Sequence, residues 1–230
     1  VTHKTFKNKK GEWLSPDEIY YDKGVAFDFS NKEVQIGKIE KMSKSKKNVI
    51  DPSAIINSYG ADTARWFMLS DSPPERDLEW TENGIAGSFK LINKIWNITY
   101  DVIHNFENQN NNNDKELEYI TNKTVINITN NIDNFQFNKA IANIYELINS
   151  IQKFYIDKTA SKETITKTLK QLALLLQPFV PHLSEEMWLS LGGRDLAISQ
   201  PWPEKKEIIK KTSYNIAVQI NGKTKEIITL

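Results

Sequence analysis

Apolar side chains recur three, four or seven residues apart from Glu82 onward, and this spacing constrains the fold more than any other feature. In the first stretch the recurring residues are Ile85, Phe89, Ile92, Trp96, Ile103 and Phe106. Such spacing places them on one face of a long helix. The pattern predicts four more helices. The first runs from Lys115 to about Asn134, and the second from Asn138 to Tyr155, with Ile141, Ile144, Tyr145, Ile148 and Ile151 facing inward. The third is capped by Ser161 and stops before Pro178, and the fourth runs from Pro181 to Leu191. Long amphipathic helices with short connections predict a mainly α fold, an antiparallel bundle.

Shorter elements precede the bundle. Residues 1–40 hold turn residues and the β-prone pieces Ile19–Tyr21, Val25–Phe27 and Val34–Ile36, which are too short for a domain and predict attached hairpins. Asp51-Pro52 is typical of a helix start, Gly60 of a helix end, and Asp62 is expected to cap the next helix.

Two further runs of β-prone residues lie at the end of the sequence. Residues 214–220 and 224–228 flank Asn221-Gly222, which is a strong signal for a hairpin turn. A hairpin alone is marginally stable in water, so these strands predict part of a small β-containing domain.

Composition excludes several classes of function. The net charge is +1, from 30 basic and 29 acidic side chains, so any contact with nucleic acid must be local. The absence of cysteine excludes disulfides, thiolate metal sites and a cysteine nucleophile, and fits a reducing, cytoplasmic compartment. No apolar run approaches the roughly 18–20 residues that span a bilayer. His3, His104 and His182 are too scattered for a metal site, so no metal ligand is predicted.

A basic run at residues 38–47 is the strongest chemical feature. It contains Lys38, Lys41, Lys44, Lys46 and Lys47, two serines, and Glu40 as its only acid. Lysine is a flexible point charge that suits phosphate, and serine hydroxyls and backbone N–H groups add donors. In nucleotidyl transfer such donors lower the barrier where charge develops. Two interpretations stay open from charge alone: a loop that binds a polyphosphate, or a solvated basic patch.

A second pair of lysines lies on the first long helix. Lys90 and Lys94 are four residues apart and therefore share one face, opposite the apolar stripe. They can contact phosphates of a nucleic acid, and a solvated helix face is the alternative.

Residues Lys41-Met42-Ser43-Lys44-Ser45, called here the lysine–serine loop, resemble the second signature of class I aminoacyl-tRNA synthetases. Further segments along the chain resemble the leucyl-tRNA synthetase family of the bacterial type. The similar segments are 46–52, 59–65, Ser72-Pro73-Pro74-Glu75-Arg76-Asp77-Leu78-Glu79-Trp80, 178–188, 201–203 and Val218-Gln219-Ile220-Asn221-Gly222-Lys223. Lys47 departs from the family, which usually has Asn at this position.

The resemblance implies ATP-dependent activation of leucine and its transfer to tRNA(Leu). Lys41, Met42, Ser43, Lys44 and Ser45 would bind ATP, with Lys41 and Lys44 stabilising the transition state. Mg²⁺ would come with the nucleotide, without protein ligands in this chain. Lys90 and Lys94 would contact tRNA, on a bundle named for anticodon binding that grips the tRNA body. The resemblance also implies a monomer in the cytoplasm, with no membrane contact.

The resemblance further implies a division of the chain and its relation to the whole enzyme. We expect residues 1–40 to be a remnant of an insertion, 41–80 the loop and a connecting module, 81–200 the tRNA-binding bundle, and 204–230 the start of a truncated C-terminal domain. The first class I signature, the nucleotide-binding fold, the leucine pocket and the editing domain would lie before Val1. The chain alone is therefore expected to be inactive in aminoacylation.

Two alternatives have a different character. In the first, the chain is a free-standing helical module that binds tRNA or a partner protein, and the lysine–serine loop is a relic. In the second, the chain is a plain structural bundle. Salt-dependent binding of tRNA to the isolated chain would separate the first of these from the second.

Overall fold

The computed structural model describes residues 1–206, 215–220 and 223–229, and most of the first range is helical. The helices are α1 (Pro52–Tyr59), α2 (Ala61–Ser70), α3 (Glu82–His104), α4 (Asp114–Asp133), α5 (Phe137–Ile156), α6 (Lys162–Leu176) and α7 (Pro181–Ser190). Three short 3₁₀ turns lie at Pro16–Glu18, Lys44–Lys46 and Ala197–Ser199. Among the described residues, no helix combines the length and apolarity that crossing a membrane requires.

Helices α3 to α7 pack around one apolar core, which confirms the mainly helical prediction. Helix α4 lies against α5 and α6, and α6 lies against α7. Helix α2 joins the same body because it packs against α3 and α5. The fully buried core side chains include Trp66, Ile95, Leu117, Ile128, Ile141, Ile144, Leu147, Ile148, Ile151 and Phe179. Each large apolar side chain buried in this way contributes about 1.5–3 kcal/mol to stability.

The buried face of α3 differs from the predicted stripe. Phe89 was expected inward, but its side chain is 39% exposed. The buried residues of the helix are Ile85, Ser88, Leu91, Ile95, Ile98, Thr99 and Val102. The pattern treats Ser88 and Thr99 as polar, yet both hydroxyls donate to backbone carbonyls of their own helix, at 3.0 and 2.9 Å, and can therefore be buried. On α5, Tyr145 was also expected inward and is 37% exposed, at the margin of the core beside Trp66.

Three predicted helix caps can be compared with the structure. Asp51 caps α1 by accepting from Ser53 N at 2.9 Å, and Ser161 caps α6 by accepting from Thr164 N at 3.2 Å, so both predictions are confirmed. The prediction for Asp62 is wrong. Helix α2 begins after Gly60 without a side-chain cap, and the Asp62 carboxylate instead accepts from Leu183 N, in the first turn of α7, at 2.7 Å.

A small antiparallel sheet and a hairpin precede the helices. The sheet has the strand order β2–β1–β5 and consists of β1 (Thr2–Lys7), β2 (Trp13–Leu14) and β5 (Gln35–Lys41). The separate hairpin pairs β3 (Ile19–Asp22) with β4 (Val25–Asp28). Strand β1 pairs with β5 in a register that sets Thr2 opposite Lys41. Strand β1 is also fixed to residues 78–80, because Thr2 N donates to Leu78 O at 2.7 Å and Trp80 N donates to Thr2 O at 2.8 Å.

The predicted strands near the end of the chain are present. Strands β6 (Asn215–Ile220) and β7 (Lys223–Thr229) form an antiparallel pair. The Asn221-Gly222 turn that was predicted between them lies outside the described residues.

Candidate phosphate-binding loop

The lysine–serine loop begins where strand β5 ends, at Lys41. Ser43 has extended backbone and its hydroxyl caps the 3₁₀ turn Lys44–Lys46, accepting from Lys46 N at 3.3 Å. Lys47 closes the turn in the left-handed conformation (φ 54°), with its N–H donating to Lys44 O at 3.2 Å. The sequence therefore folds this segment into a compact turn with a defined backbone.

The turn presents hydroxyl and ammonium groups side by side. The hydroxyl oxygens of Ser43 and Ser45 lie 3.2 Å apart, on either side of Lys44 in the chain. Lys41, Lys44 and Ser45 are exposed, and Ser43 is half-buried. Two adjacent hydroxyls and two flexible cations can bind the oxygens of a polyphosphate.

Charges in the basic run fall into two groups. Lys46 forms an ion pair with Glu40, and Lys47 Nζ lies 3.5 Å from Glu18 Oε2. Lys41 and Lys44 form no ion pair with any residue that the structure describes. The two lysines predicted as catalytic, together with Lys38, thus have no carboxylate partner among the described residues, which leaves their charge available to an anionic ligand.

The ionised state of Glu18 supports its pair with Lys47. The backbone N–H and the hydroxyl of Ser15 both donate to Glu18 Oε2, at 2.8 and 2.9 Å, and lower the pKa of that carboxyl. Lys47 adds to the same lowering of the pKa. Glu18 therefore holds the far end of the turn against the segment between β2 and β3.

Met42 differs from the exposed lysines of the loop because its side chain packs against apolar residues. Its side chain is half-buried and packs against an apolar cluster formed by Phe67, Leu78, Trp80 and Ile85. Its backbone N–H donates to Val1 O at 3.1 Å. Sequence reasoning grouped Met42 with the ATP-binding residues, and the structure places its side chain in this cluster beneath the loop.

Asn48 is a residue of the site that sequence reasoning did not single out. Its side chain is 0% exposed, and its Oδ1 accepts from Ser43 N at 2.8 Å. The Nδ2 group faces three carbonyls, those of His3 at 3.2 Å, Glu40 at 3.2 Å and Lys41 at 3.5 Å. The available signal was weak: an Asn between a basic loop and a helix start is equally typical of a turn.

Helix α2 also binds the junction between α6 and α7. Arg65 Nε donates to Phe179 O at 3.0 Å and its Nη2 to Pro178 O at 2.7 Å, both just after α6. Asp62 binds the first turn of α7 through Leu183 N, and its Oδ1 lies 3.2 Å from His182 Nδ1. One helix thus binds the α6–α7 junction from two sides.

Lys90 and Lys94 lie together on helix α3. They line a groove of about 460 Å³ between α3 and α5, together with Phe89, Asn93, Asn97, Ile98, Asp101, Gln152, Tyr155 and Ile156. Lys94 Nζ donates to Asn149 Oδ1 at 3.0 Å. The structure brings these two lysines into one groove, and no residue of the lysine–serine loop lines it.

Two family models match the chain. Residues 33–81, which include the loop, match the class I tRNA synthetases for isoleucine, leucine, methionine and valine. Residues 114–230 match the anticodon-binding domain of tRNA ligases, which is half of the chain. The chain belongs to the family of the anticodon-binding domain of tRNA ligases.

Individual relatives narrow this assignment. The leucine–tRNA ligase of Rhizorhabdus wittichii is 43% identical over 230 residues, and that of Zymomonas mobilis is 40% identical over 232 residues. In both cases the match covers 100% of this chain and 26% of the relative. The chain thus corresponds to the C-terminal portion of these ligases and spans about a quarter of their length, as the resemblance implied.

A solved structure supports the same family. The ternary complex of Agrobacterium radiobacter K84 LeuRS with tRNA and LeuAMS superimposes with a TM-score of 0.69, at 28% identity. The superposition covers 83% of this chain and 25% of that one. Because the relatives match this chain along its whole length, loop included, a relic loop on a free-standing module is not favoured.

Proposed function

We propose that this chain is the ATP-loop and tRNA-binding portion of a leucine–tRNA ligase, which activates leucine with ATP and transfers it to tRNA(Leu). The observation that carries the proposal is the lysine–serine loop, with two unbalanced lysines and two adjacent hydroxyls on a well-anchored turn. This turn lies within the segment that matches the class I synthetases.

The donor set of the loop fits a triphosphate. Lys44 and Lys41 have no carboxylate partner among the described residues, and the hydroxyls of Ser43 and Ser45 lie 3.2 Å apart. Bound ATP supplies the adenylyl group that activates the leucine carboxylate. Lys44 and Lys41 orient the phosphates and stabilise the charge that develops on them in the transition state. Ser43 and Ser45 donate hydrogen bonds that hold the phosphates in place, and Met42 contributes by anchoring the loop.

Mg²⁺ enters the proposal only with the nucleotide. Within the part of the chain that the structure describes, no group of three or more carboxylate or imidazole side chains is arranged to hold a metal ion. We therefore assign Mg²⁺ to the phosphates and propose no protein ligand for it in this chain.

The bundle is the proposed tRNA-binding part. Lys90 and Lys94 share a groove with the amides of Asn93 and Asn97 and the ring of Tyr155, a combination of cation, amide and aromatic groups that suits RNA. The related LeuRS was solved with tRNA, which supports this assignment. We propose that the chain is divided into an insertion remnant (1–40), the loop with a connecting module (41–80), the tRNA-binding bundle (81–200) and the start of a C-terminal domain (204–230). We also propose that the complete enzyme is monomeric and cytoplasmic.

A chimeric ligase tests the proposal. The chain would replace the matching 26% of the Rhizorhabdus wittichii ligase, and leucine-dependent exchange of pyrophosphate into ATP would be measured. We expect exchange with leucine by the chimera and none by the chain alone. In a Lys90→Ala/Lys94→Ala chimera, the KM for tRNA(Leu) should rise about tenfold while exchange is unchanged, because each lost phosphate contact weakens only tRNA binding. A folded chimera without leucine-dependent exchange would refute the proposed function.

A further inference from the structure

Asn48 is the most deeply buried polar side chain near the lysine–serine loop. Its amide lies under the turn and is 0% exposed, although Lys44, Ser45 and Lys47 around it are exposed. A primary amide has two N–H donors and one oxygen acceptor. All of them are directed at backbone groups: the oxygen at Ser43 N and the two N–H donors at three carbonyls. No part of this side chain is therefore left for solvent.

The backbone groups that Asn48 binds belong to three different segments. His3 lies in β1, Glu40 and Lys41 end β5, and Ser43 begins the 3₁₀ turn. The hydrogen bonds continue outward from there, because Ser43 Oγ accepts from Lys46 N at 3.3 Å and lies 3.2 Å from Ser45 Oγ. The position of the exposed donors thus depends on a chain of contacts that starts at Asn48.

Other contacts of the loop do not replace this one. Met42 fixes the turn through apolar packing and one bond from its N–H to Val1 O, and the ion pairs of Lys46 and Lys47 involve partly exposed side chains that water screens. Among the side chains that the structure describes, only Asn48 binds the backbone on both sides of Met42, at Lys41 O and Ser43 N.

We propose that Asn48 is a positioning residue for adenylate formation: its buried amide holds the backbone of residues 41–43 so that Lys44 and the two serine hydroxyls meet the phosphates of ATP. The inference rests on the proposed function of the loop. Asn48 touches no substrate in this role. It acts through Ser43 and Lys41, and a misplacement of about 1 Å in such a loop can cost about 100-fold in rate.

Kinetics of the chimeric ligase test the inference. Asn48→Ala should slow leucine-dependent pyrophosphate exchange about 10- to 100-fold. Transfer of leucine from preformed leucyl-adenylate to tRNA(Leu), which needs no ATP, should change less than about twofold, as should the Kd for tRNA. The matched control is Thr63→Val. This variant removes a different hydrogen bond of the same module, which the hydroxyl of the buried Thr63 donates to Tyr59 O at 2.7 Å, away from the loop. Exchange within about twofold of wild type for Asn48→Ala, or an equal loss for Thr63→Val, would overturn the inference.

A second variant addresses the case in which Asn48→Ala does not fold. Asn48→Asp keeps an acceptor for Ser43 N but sets a carboxylate against three carbonyls, so burial and repulsion should raise the pKa of the new carboxyl. Protonation restores one donor. Its exchange rate relative to wild type should therefore rise as the pH falls from about 8 to about 6, and a ratio that is flat or falls over this range contradicts the inference.

Hydrogen exchange in the 230-residue chain gives an independent readout. The Ser43 amide should exchange about tenfold faster in Asn48→Ala, while core amides of α5 keep their protection. Lys44→Ala separates the role of Asn48 from the function of the loop itself. If Lys44→Ala slows pyrophosphate exchange and Asn48→Ala does not, only the role of Asn48 fails, and if neither slows it, the proposed function of the loop fails as well.

Discussion

The residue that closes the turn departs from the pattern of the family. The family resemblance leads us to expect Asn at the position of Lys47, and the backbone of Lys47 is left-handed with φ 54°. This conformation is strained for most side chains and is tolerated best by Gly, Asn and Asp. Lys47 gains an ion pair with Glu18 at 3.5 Å, but both side chains are partly exposed, so the pair contributes at most about 1 kcal/mol. We infer that the lysine leaves the end of the turn slightly strained.

Replacing Lys47 by Asn should therefore tighten the turn. In Lys47→Asn, relief of the left-handed strain should exceed the lost ion pair by about 0.5 kcal/mol. The Lys46 amide, bonded to Ser43 Oγ, reports this as an approximately twofold slower hydrogen exchange. Lys23→Asn is the matched control, because Lys23 has a similar φ of 47° in a different turn and should leave the Lys46 amide unchanged. Faster exchange in Lys47→Asn would show that the ion pair outweighs the strain.

The positions of the helices and two of their local caps were predicted well, whereas contacts between distant elements were not. Five bundle helices and the caps Asp51 and Ser161 follow from local spacing and local hydrogen bonds. Asp62 was assigned to its own helix, although its partner Leu183 lies 121 residues away. Asn48 escaped notice for the same reason, since His3 is 45 residues away. Sequence spacing identifies which residues can cap or bury, but only the tertiary fold decides which partner they meet.

The start of α4 is bound to the start of α6 by a carboxylate. Asp114 accepts from Ser161 N at 2.8 Å and from Ser161 Oγ at 2.7 Å. Burial alone would raise the pKa of Asp114, but the hydrogen bonds from Ser161 outweigh it and the pKa lies below the ordinary value of 3.8. Ionised Asp114 therefore stabilises the folded state at pH values above 3.8, and this stabilisation is lost as the pH falls below 3.8 through the pKa of the folded protein.

Asp114→Asn should consequently show a pH-dependent loss of stability. At pH 7 the free energy of unfolding should fall by about 1 kcal/mol, because a charge-assisted bond is replaced by a neutral one. The difference from wild type should shrink as the pH is lowered toward 3. Urea unfolding followed by far-UV circular dichroism at a series of pH values measures it. Asp22→Asn, at an exposed strand position, serves as the control, and a difference that stays constant with pH would contradict the assigned role.

For the whole molecule, helix α2 is the link between the candidate ATP loop and the bundle. It packs against α3 and α5, its Phe67 belongs to the cluster beneath Met42, and its Asp62 and Arg65 bind the α6–α7 junction. The family resemblance predicted a connecting module at residues 41–80 but could not supply these contacts, which join residues 113 to 121 positions apart. The position of the loop relative to the bundle therefore depends on the apolar packing of α2 and on a few polar contacts of the same helix.

Removing the two polar side chains of α2 that bind the α6–α7 junction should weaken the link between the loop and the bundle. In Asp62→Ala/Arg65→Ala, the melting temperature should fall by about 4–8 °C, which corresponds to roughly 2 kcal/mol in a protein of this size. The calorimetric transition should also broaden, because the loop module and the bundle would unfold less cooperatively. Arg76→Ala, at an exposed turn position, is the control. An unchanged, equally sharp transition in the double variant would show that apolar packing alone joins the two parts.

Pyrophosphate exchange shows whether Lys44 acts on ATP. In the chimeric ligase, Lys44→Ala should slow leucine-dependent exchange about 100- to 1,000-fold, because a cation aimed at the developing charge is lost. Lys46→Ala, which removes a lysine of the same turn that is already paired with Glu40, should stay within about fivefold of wild type. Binding of tRNA(Leu) should be almost unchanged in both variants. Wild-type exchange by Lys44→Ala would contradict the assignment of the lysine–serine loop as the ATP loop.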